Sequence, residues 1–321
     1  MFDSGGVVLV LSSDVVFTLQ DGQLQRAWIG LGRVAPGQLA SVAFDGSTYS
    51  FVTIANAVAS LYQAPSRGAH PTLIATLMDP GGLPFAAAQI APMADGIAIL
   101  GTEASGSNFS TAVLGILRSG DAQFSLTRAP VGGDLTYGDG ALWIVGGVMG
   151  DQVFRSVDGT SWTPTRLPVS AQYWSASAVV ATKSGIAVAI TSHTSSDSEV
   201  TILTSSDAGQ KWQTVGTFLA PLTEFGTTIG TVFGPDGSWT AVFPDGSRVI
   251  RGGGVGSPTS ATSPNGLPGN VDQIARSSQG DLVSIAGSDN CPSGKDSCTR
   301  SASVFVSSDN GQTWTEITPA P

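Results

Sequence analysis

Charge and its usual carriers are scarce in this sequence. Of 321 residues only 12% are charged; Glu occurs four times, Lys three times and His twice. A soluble domain ordinarily carries about twice that charged share. Glu and Lys are among the straight-chain helix formers, so their near absence argues against a helical bundle or a doubly wound α/β enzyme. The two histidines, His70 and His193, lie far apart, and a Ser-His-Asp triad through His193 would need a nucleophile on an opposing loop, so a solvated loop residue is the favoured reading of His193. The two cysteines have no further Cys or His nearby to complete a metal site. No D-x-D-x-D-G loop offers calcium a seat, and no Gly-rich loop opens a helix to hold nucleotide phosphates. No metal or cofactor is therefore expected. Near the start the longest purely apolar stretch is Val7 to Leu11, far short of the ~20 residues of a membrane-spanning helix. No secretory leader is visible, and Met1 opens directly onto a turn-like Phe2 to Gly6, which reads as the start of a trimmed mature chain, with a cytosolic start at Met1 the alternative.

Hydrophobic residues, 41% of the chain, are ample for a core, and Gly 41 and Pro 18 supply turns. The formal net charge is −10. Such a surface repels phosphate backbones, so nucleic acid is not an expected partner. Cys291 and Cys298 bracket a Pro- and Gly-containing turn, Pro292 to Ser297, whose ends can meet. A disulfide between them is the favoured reading, with two free thiols the alternative; it points to an oxidising compartment and a secreted or cell-surface protein.

A hairpin signal recurs along the chain: an apolar strand, an Asp-Gly or Ser-Gly turn, and a second apolar strand. Its turn glycines stand at 46, 96, 140, 185, 237 and 280, with spacings of 50, 44, 45, 52 and 43. A period in the forties built from hairpins is the length of one four-stranded propeller blade. The second hairpin of a blade follows about twenty residues later, most clearly at Val153 to Trp162, Thr201 to Trp212 and Val304 to Trp314. The expectation is an all-β, single-domain, seven-bladed propeller, monomeric, with six blades the runner-up. Its blades cover approximately 1–36, 37–82, 83–131, 132–170, 171–221, 222–266 and 267–321, the first lacking its initial strand. The stretch Gly252 to Gly269 reads as a long loop between blades six and seven.

Three of the second hairpins share one turn. Ser205, Asp207, Gly209 and Trp212 spell S-x-D-x-G-x-x-W; Ser307, Asp309, Gly311 and Trp314 repeat it in full; Ser156, Asp158, Gly159 and Trp162 give a shortened copy. The pattern resembles the Asp-box, or BNR, repeat of sialidase-like β-propellers. Asp caps a tight turn, Gly takes a positive φ and Trp packs the turn down. The resemblance implies that these boxes lie away from the active face and are structural.

With the first strand of each blade running away from that upper face, the loops between second and third strands and the connections between blades lie on it. The long loops there are Gly101 to Thr111, Thr191 to Glu199 and Gly287 to Ser303. At the channel mouth Phe85, Tyr173, Trp174 and Phe225, with His193 nearby, are candidate ligand contacts; Asp134, Glu224 and Asp272 are candidate catalytic carboxyls. Aromatic plates beside carboxylates suit sugar rings, although blade packing explains the aromatics equally. Sialidases of the resembled superfamily carry an arginine triad, a Tyr–Glu pair and an early F/Y-R-I-P tetrapeptide; that tetrapeptide is missing here. The favoured reading is a non-catalytic propeller binding a glycan or protein on its upper face. A glycoside hydrolase or lyase with two facing carboxyls and an assembly or scaffold factor are the alternatives.

Overall fold

The computed structural model describes residues 8–12, 15–20, 23–29, 35, 37–45, 47–103, 111–146, 151–169, 174–182, 185–193, 197–221, 229–234, 236–253, 259–276, 280–290 and 299–317. No helix occurs among them. The strands form one three-stranded and six four-stranded antiparallel sheets, each following chain order. The first sheet holds β1 (Val8–Ser12), β2 (Val15–Gln20) and β3 (Gln23–Ile29). The second holds β4 (Gln38–Phe44), β5 (Tyr49–Ala55), β6 (Val58–Ala64) and β7 (Thr72–Leu77); the third β8 (Phe85–Met93), β9 (Gly96–Glu103), β10 (Ala112–Arg118) and β11 (Ser125–Ala129). The fourth holds β12 (Gly133–Gly138), β13 (Ala141–Gly146), β14 (Gln152–Ser156) and β15 (Thr163–Arg166). The fifth holds β16 (Trp174–Thr182), β17 (Gly185–His193), β18 (Asp197–Ser205) and β19 (Gln213–Pro221). The sixth holds β20 (Gly230–Phe233), β21 (Trp239–Val242), β22 (Val249–Gly252) and β23 (Thr259–Thr262). The seventh holds β24 (Val271–Arg276), β25 (Leu282–Asn290), β26 (Thr299–Ser307) and β27 (Thr315–Ile317). From β4 onward the first strand of each sheet touches the first strand of the next: β4 to β8, β8 to β12, β12 to β16, β16 to β20 and β20 to β24. That is the blade stacking of a propeller.

Burial follows strand position within the blade. Middle strands are covered on both faces and read as unbroken apolar runs, such as Ile97 to Leu100 and Ala141 to Val145, all buried. Outer strands alternate: Ala75 and Leu77 of β7 are buried while Leu73 and Ile74 are exposed. Five cores lie between successive blades; Val52, Leu61, Ile90 and Val113 share one, and Leu114, Leu135, Ile144 and Phe154 share the next. Two half-cores remain, on the opposite faces of blades two (Val42, Phe51, Tyr62) and seven (Val283, Val304, Val306).

The three S-x-D turns share one hydrogen-bond pattern. The serine hydroxyl donates to the aspartate, Ser156 to Asp158 at 3.0 Å, Ser205 to Asp207 and Ser307 to Asp309 at 2.8 Å each. The same oxygen accepts the glycine N–H, at 2.8 Å from Gly159, 3.0 Å from Gly209 and 2.7 Å from Gly311. The carboxylate then accepts N–H groups beyond the glycine: Ser161 at 2.8 Å, Lys211 at 2.8 Å and Thr313 at 2.9 Å. Burial works against ionisation of Asp309, yet the Thr313 hydroxyl and N–H, with the Ser307 hydroxyl, hold its pKa down to about 2. Gly311, at φ +87°, sits against Val249 of the preceding blade, where a Cβ would lie 2.9 Å from that side chain. Serine is thus the hub of each turn, a role the sequence reading left to Asp, Gly and Trp.

Two expectations need correction. The stretch Gly252 to Gly269 is not all loop, because β23 lies inside it and pairs with β22 from Val249↔Thr262 to Gly252↔Thr259. An outer strand needs few apolar residues, so Thr259–Thr262 gave no alternation to read. The loops Thr191 to Glu199 and Gly287 to Ser303 are likewise largely strand, since β17 and β18 pair out to His193↔Ser198 and β25 and β26 out to Asn290↔Thr299.

One turn carries avoidable strain. Asn56 (φ 50°) and Ala57 (φ 71°) are the two residues between β5 and β6, both left-handed. Glycine is the residue that takes such a φ without a Cβ penalty. Ala57→Gly is therefore expected to stabilise the protein by roughly 0.5–1 kcal/mol, measurable as a higher urea midpoint with unchanged slope.

Candidate functional site

The inner edge of each blade exposes backbone groups to the channel, and these need partners. In three successive seams a side chain on one inner strand accepts the N–H of the next. Ser41 Oγ accepts from Ile90 N at 3.3 Å, Gln89 Oε1 from Leu135 N at 2.8 Å, and Asp134 Oδ2 from Val179 N at 2.8 Å. Each accepting side chain is a polar residue followed by an apolar one: Ser41-Val42, Gln89-Ile90, Asp134-Leu135. The polar member reaches the neighbour's edge. Burial pushes the Asp134 carboxyl up to about 6, against the pull of the Val179 N–H and the Gln89 amide. Ala178, next in the series, has no polar atom to continue it.

A second polar cluster ties the connection between blades two and three to the upper edge of blade three. Arg128, on β11, reaches Asp79 with Nη2 at 2.8 Å and Glu103 with Nη1. Both carboxylates are fully buried as side chains, while the arginine side chain is 52% exposed. Asp79 also accepts the Leu83 N–H at 3.0 Å, and Glu103 accepts the Thr111 hydroxyl. Burial by itself pushes the Asp79 carboxyl up; the Leu83 N–H, the Glu103 carboxyl and the Arg128 guanidinium together hold it below its ordinary value. Sequence reading passed over this cluster, whose acids are 24 and 25 residues from their next member.

The third feature is an arm. In blade seven β24 pairs with β25 only as far as Val271↔Ala286, and β27 with β26 only as far as Val304↔Ile317. β25 and β26 continue together through Gly287↔Ala302, Ser288↔Ser301, Asp289↔Arg300 and Asn290↔Thr299. Among the described residues, four residue pairs, about 13 Å at ~3.3 Å per residue, therefore extend past both flanking strands on the upper side. Cys291 and Cys298, directly beyond the last pair, lie outside the described residues.

The expected site residues fall in different surroundings. Phe85, expected as a plate at the channel mouth, is 5% exposed and packs against Gly101 in the core between blades two and three. Trp174 opens β16 opposite Ser192, and His193 ends β17 opposite Ser198, so backbone register brings these two positions to the same edge of blade five. Asp272 sits at a register shift in β24 between Val271 and Gln273. Tyr173, Glu224 and Phe225 lie outside the described residues. Among the described residues no group of three or more His, Cys, Asp and Glu is arranged to hold a metal ion. No helix among them is long and apolar enough to cross a membrane.

No protein-family model matches the chain, and no curated protein matches it. Solved structures do. Virginiamycin B lyase from Staphylococcus aureus aligns at a TM-score of 0.54 with 15% identity, covering 88% of this chain and 84% of its own. YCF48 from Cyanidioschyzon merolae aligns at 0.52 with 15% identity, covering 88% and 91%. Both are β-propellers, and at such identities the likeness concerns the fold alone. The chain is a β-propeller by its own sheet topology and by these neighbours. The neighbours include an enzyme, so the fold leaves catalysis and binding both open.

Proposed function

We propose that this chain is a non-catalytic propeller of the Asp-box type, working outside the cytoplasm, and that its upper face binds a protein or glycan with the blade-seven arm as the recognition element. The observation that carries the reading is the arm, four residue pairs of hairpin without flanking strands among the described residues. An isolated two-stranded hairpin is marginal in water, and a Cys291–Cys298 cross-link at its tip would hold it in shape. Three acids of this face support binding over turnover: Asp79 and Glu103 are buried about Arg128, and an Asp134 oxygen is occupied by the Val179 N–H.

A glycosidase remains the second reading because of Asp134. A carboxyl raised to about 6 suits a general acid, and it would need a partner carboxyl about 5–9.5 Å away.

The intact protein and a variant with residues 288–301 replaced by Asn-Gly are compared on a glycan array and in a polysaccharide-hydrolysis screen. Binding without turnover that disappears with the arm is expected. Hydrolysis that survives arm removal and is lost in Asp134→Asn would establish the second reading instead. Both cysteines are expected to resist alkylation until a reductant is added; alkylation of the unreduced protein would overturn the cross-link.

A further inference from the structure

Arginine keeps its charge at any ordinary pH, so a buried guanidinium calls for an anion or a ring face. Arg118, Arg128 and Arg166 each meet a carboxylate. Arg155 lies over the Trp143 ring and Arg248 over the Phe243 ring. Among the described residues Arg251 and Arg276 have neither an ion pair nor a ring contact.

These two arginines occupy the seam between blades six and seven. Arg276, the last residue of β24, is 9% exposed. It donates to Asn310 Oδ1 at 3.0 Å and to the Thr240 hydroxyl across the seam. Arg251, on β22, reaches the other way, to the Asp309 carbonyl at 3.4 Å, and also to the Thr262 hydroxyl at 3.1 Å. All four acceptors are neutral groups. The Nε of each arginine is buried without a hydrogen-bond partner. The two charges act on each other: burial pushes Arg276 below its ordinary pKa, Asp236 opposes that from beyond ion-pair distance, and Arg251 adds to it. Two like charges held together in a partly dry seam, hydrogen-bonded to neutral groups and with only Asp236 acting on Arg276 from a distance among the described residues, carry an excess of positive charge that an anion completes.

We propose that this seam is an oxyanion site, in which Arg251 and Arg276 jointly hold a small free phosphate or sulfate ion. Guanidinium groups match tetrahedral oxyanions through forked N–H donors. So little of Arg276 reaches the surface that the ligand is a free ion rather than a phosphoryl group carried on a macromolecule. An ion there would bridge blade six to blade seven and bind the folded state alone, so it would raise thermal stability by mass action.

The test compares unfolding in inorganic phosphate, sulfate and chloride at matched ionic strength and pH. Phosphate and sulfate are expected to raise Tm by several degrees over chloride, saturably with concentration. Arg251→Gln, which keeps a polar side chain on β22, is expected to weaken phosphate at least tenfold and to flatten that rise. Arg276→Lys keeps one charge and is expected to retain part of it. Line broadening of free phosphate by phosphorus NMR reads the same site in the unaltered protein, so the test does not depend on any variant folding. Equal Tm values in phosphate and chloride would overturn the proposal, as would an undiminished phosphate effect in Arg251→Gln. A phosphoserine peptide that binds as well as the free ion would overturn the enclosed geometry.

Discussion

Arg128→Met is expected to lower the unfolding free energy at pH 7 by roughly 3 kcal/mol, the low end of what breaking a buried ion pair costs. The arginine is half exposed, but its two partners are not: Asp79 and Glu103 have no exposed side-chain surface. Methionine keeps the aliphatic stem and removes the charge, leaving two carboxylates in a site supplied by the Leu83 and Gly81 N–H groups and the Thr111 hydroxyl. The loss comes from uncompensated charge, so Arg128→Met combined with Glu103→Gln should recover part of it. The pH dependence carries a sign. Asp79 is held below its ordinary value of 3.8, so the cluster contributes fully above about pH 4 and loses its contribution as pH falls through the lowered value. The difference between wild type and variant should therefore shrink in acid. Urea unfolding at pH 7 and near pH 3 measures both quantities. An unchanged midpoint at pH 7 would mean that the ion pairs contribute nothing.

The parts of this fold that could be read from sequence are those that act over short stretches of chain. The Asp139-Gly140 turn between two apolar runs announces a hairpin because its cause lies within those residues. Ser307 to Trp314 announces its turn because the hydrogen bonds that shape it, linking Ser307 and Asp309 to Gly311 and Thr313, close inside eight residues. Arg128 and Asp79 stand 49 positions apart, and Arg276 and Thr240 stand 36 apart; no local pattern links them, and only the stacking of blades brings them together. The arm was misread for another reason. Gly287–Asn290 and Thr299–Ala302 are rich in Ser, Asp, Asn and Gly, which signal a loop, yet ladder hydrogen bonds hold them as strand. One signal was available and unused. Ser41, Gln89 and Asp134 stand 5, 7 and 6 residues before the turn glycines at 46, 96 and 140, so a polar residue recurring nearly in phase with the repeat marked the seams.

Asp134 is where that seam device becomes costly, and Asp134→Asn should expose the cost. Its carboxyl is pushed up to about 6 from an ordinary 3.8. The folded state therefore prefers the protonated form, and ionisation works against folding. The penalty is absent below the unfolded value, grows as pH rises toward 6, and is complete above it, reaching about 3 kcal/mol at most. Asparagine has the same shape and keeps a carbonyl oxygen for the Val179 N–H, without a charge to desolvate. The variant should gain roughly 1–3 kcal/mol at pH 7.5, gain little at pH 4, and lose the wild-type decline between those values. Urea unfolding at pH 4, 5, 6 and 7.5 gives the whole curve. If Asp134→Asn is instead less stable at pH 7.5, the ionised carboxylate is the better acceptor at this seam. The raised value would then lack its cause, and with it would go the observation that favours Asp134 as a general acid.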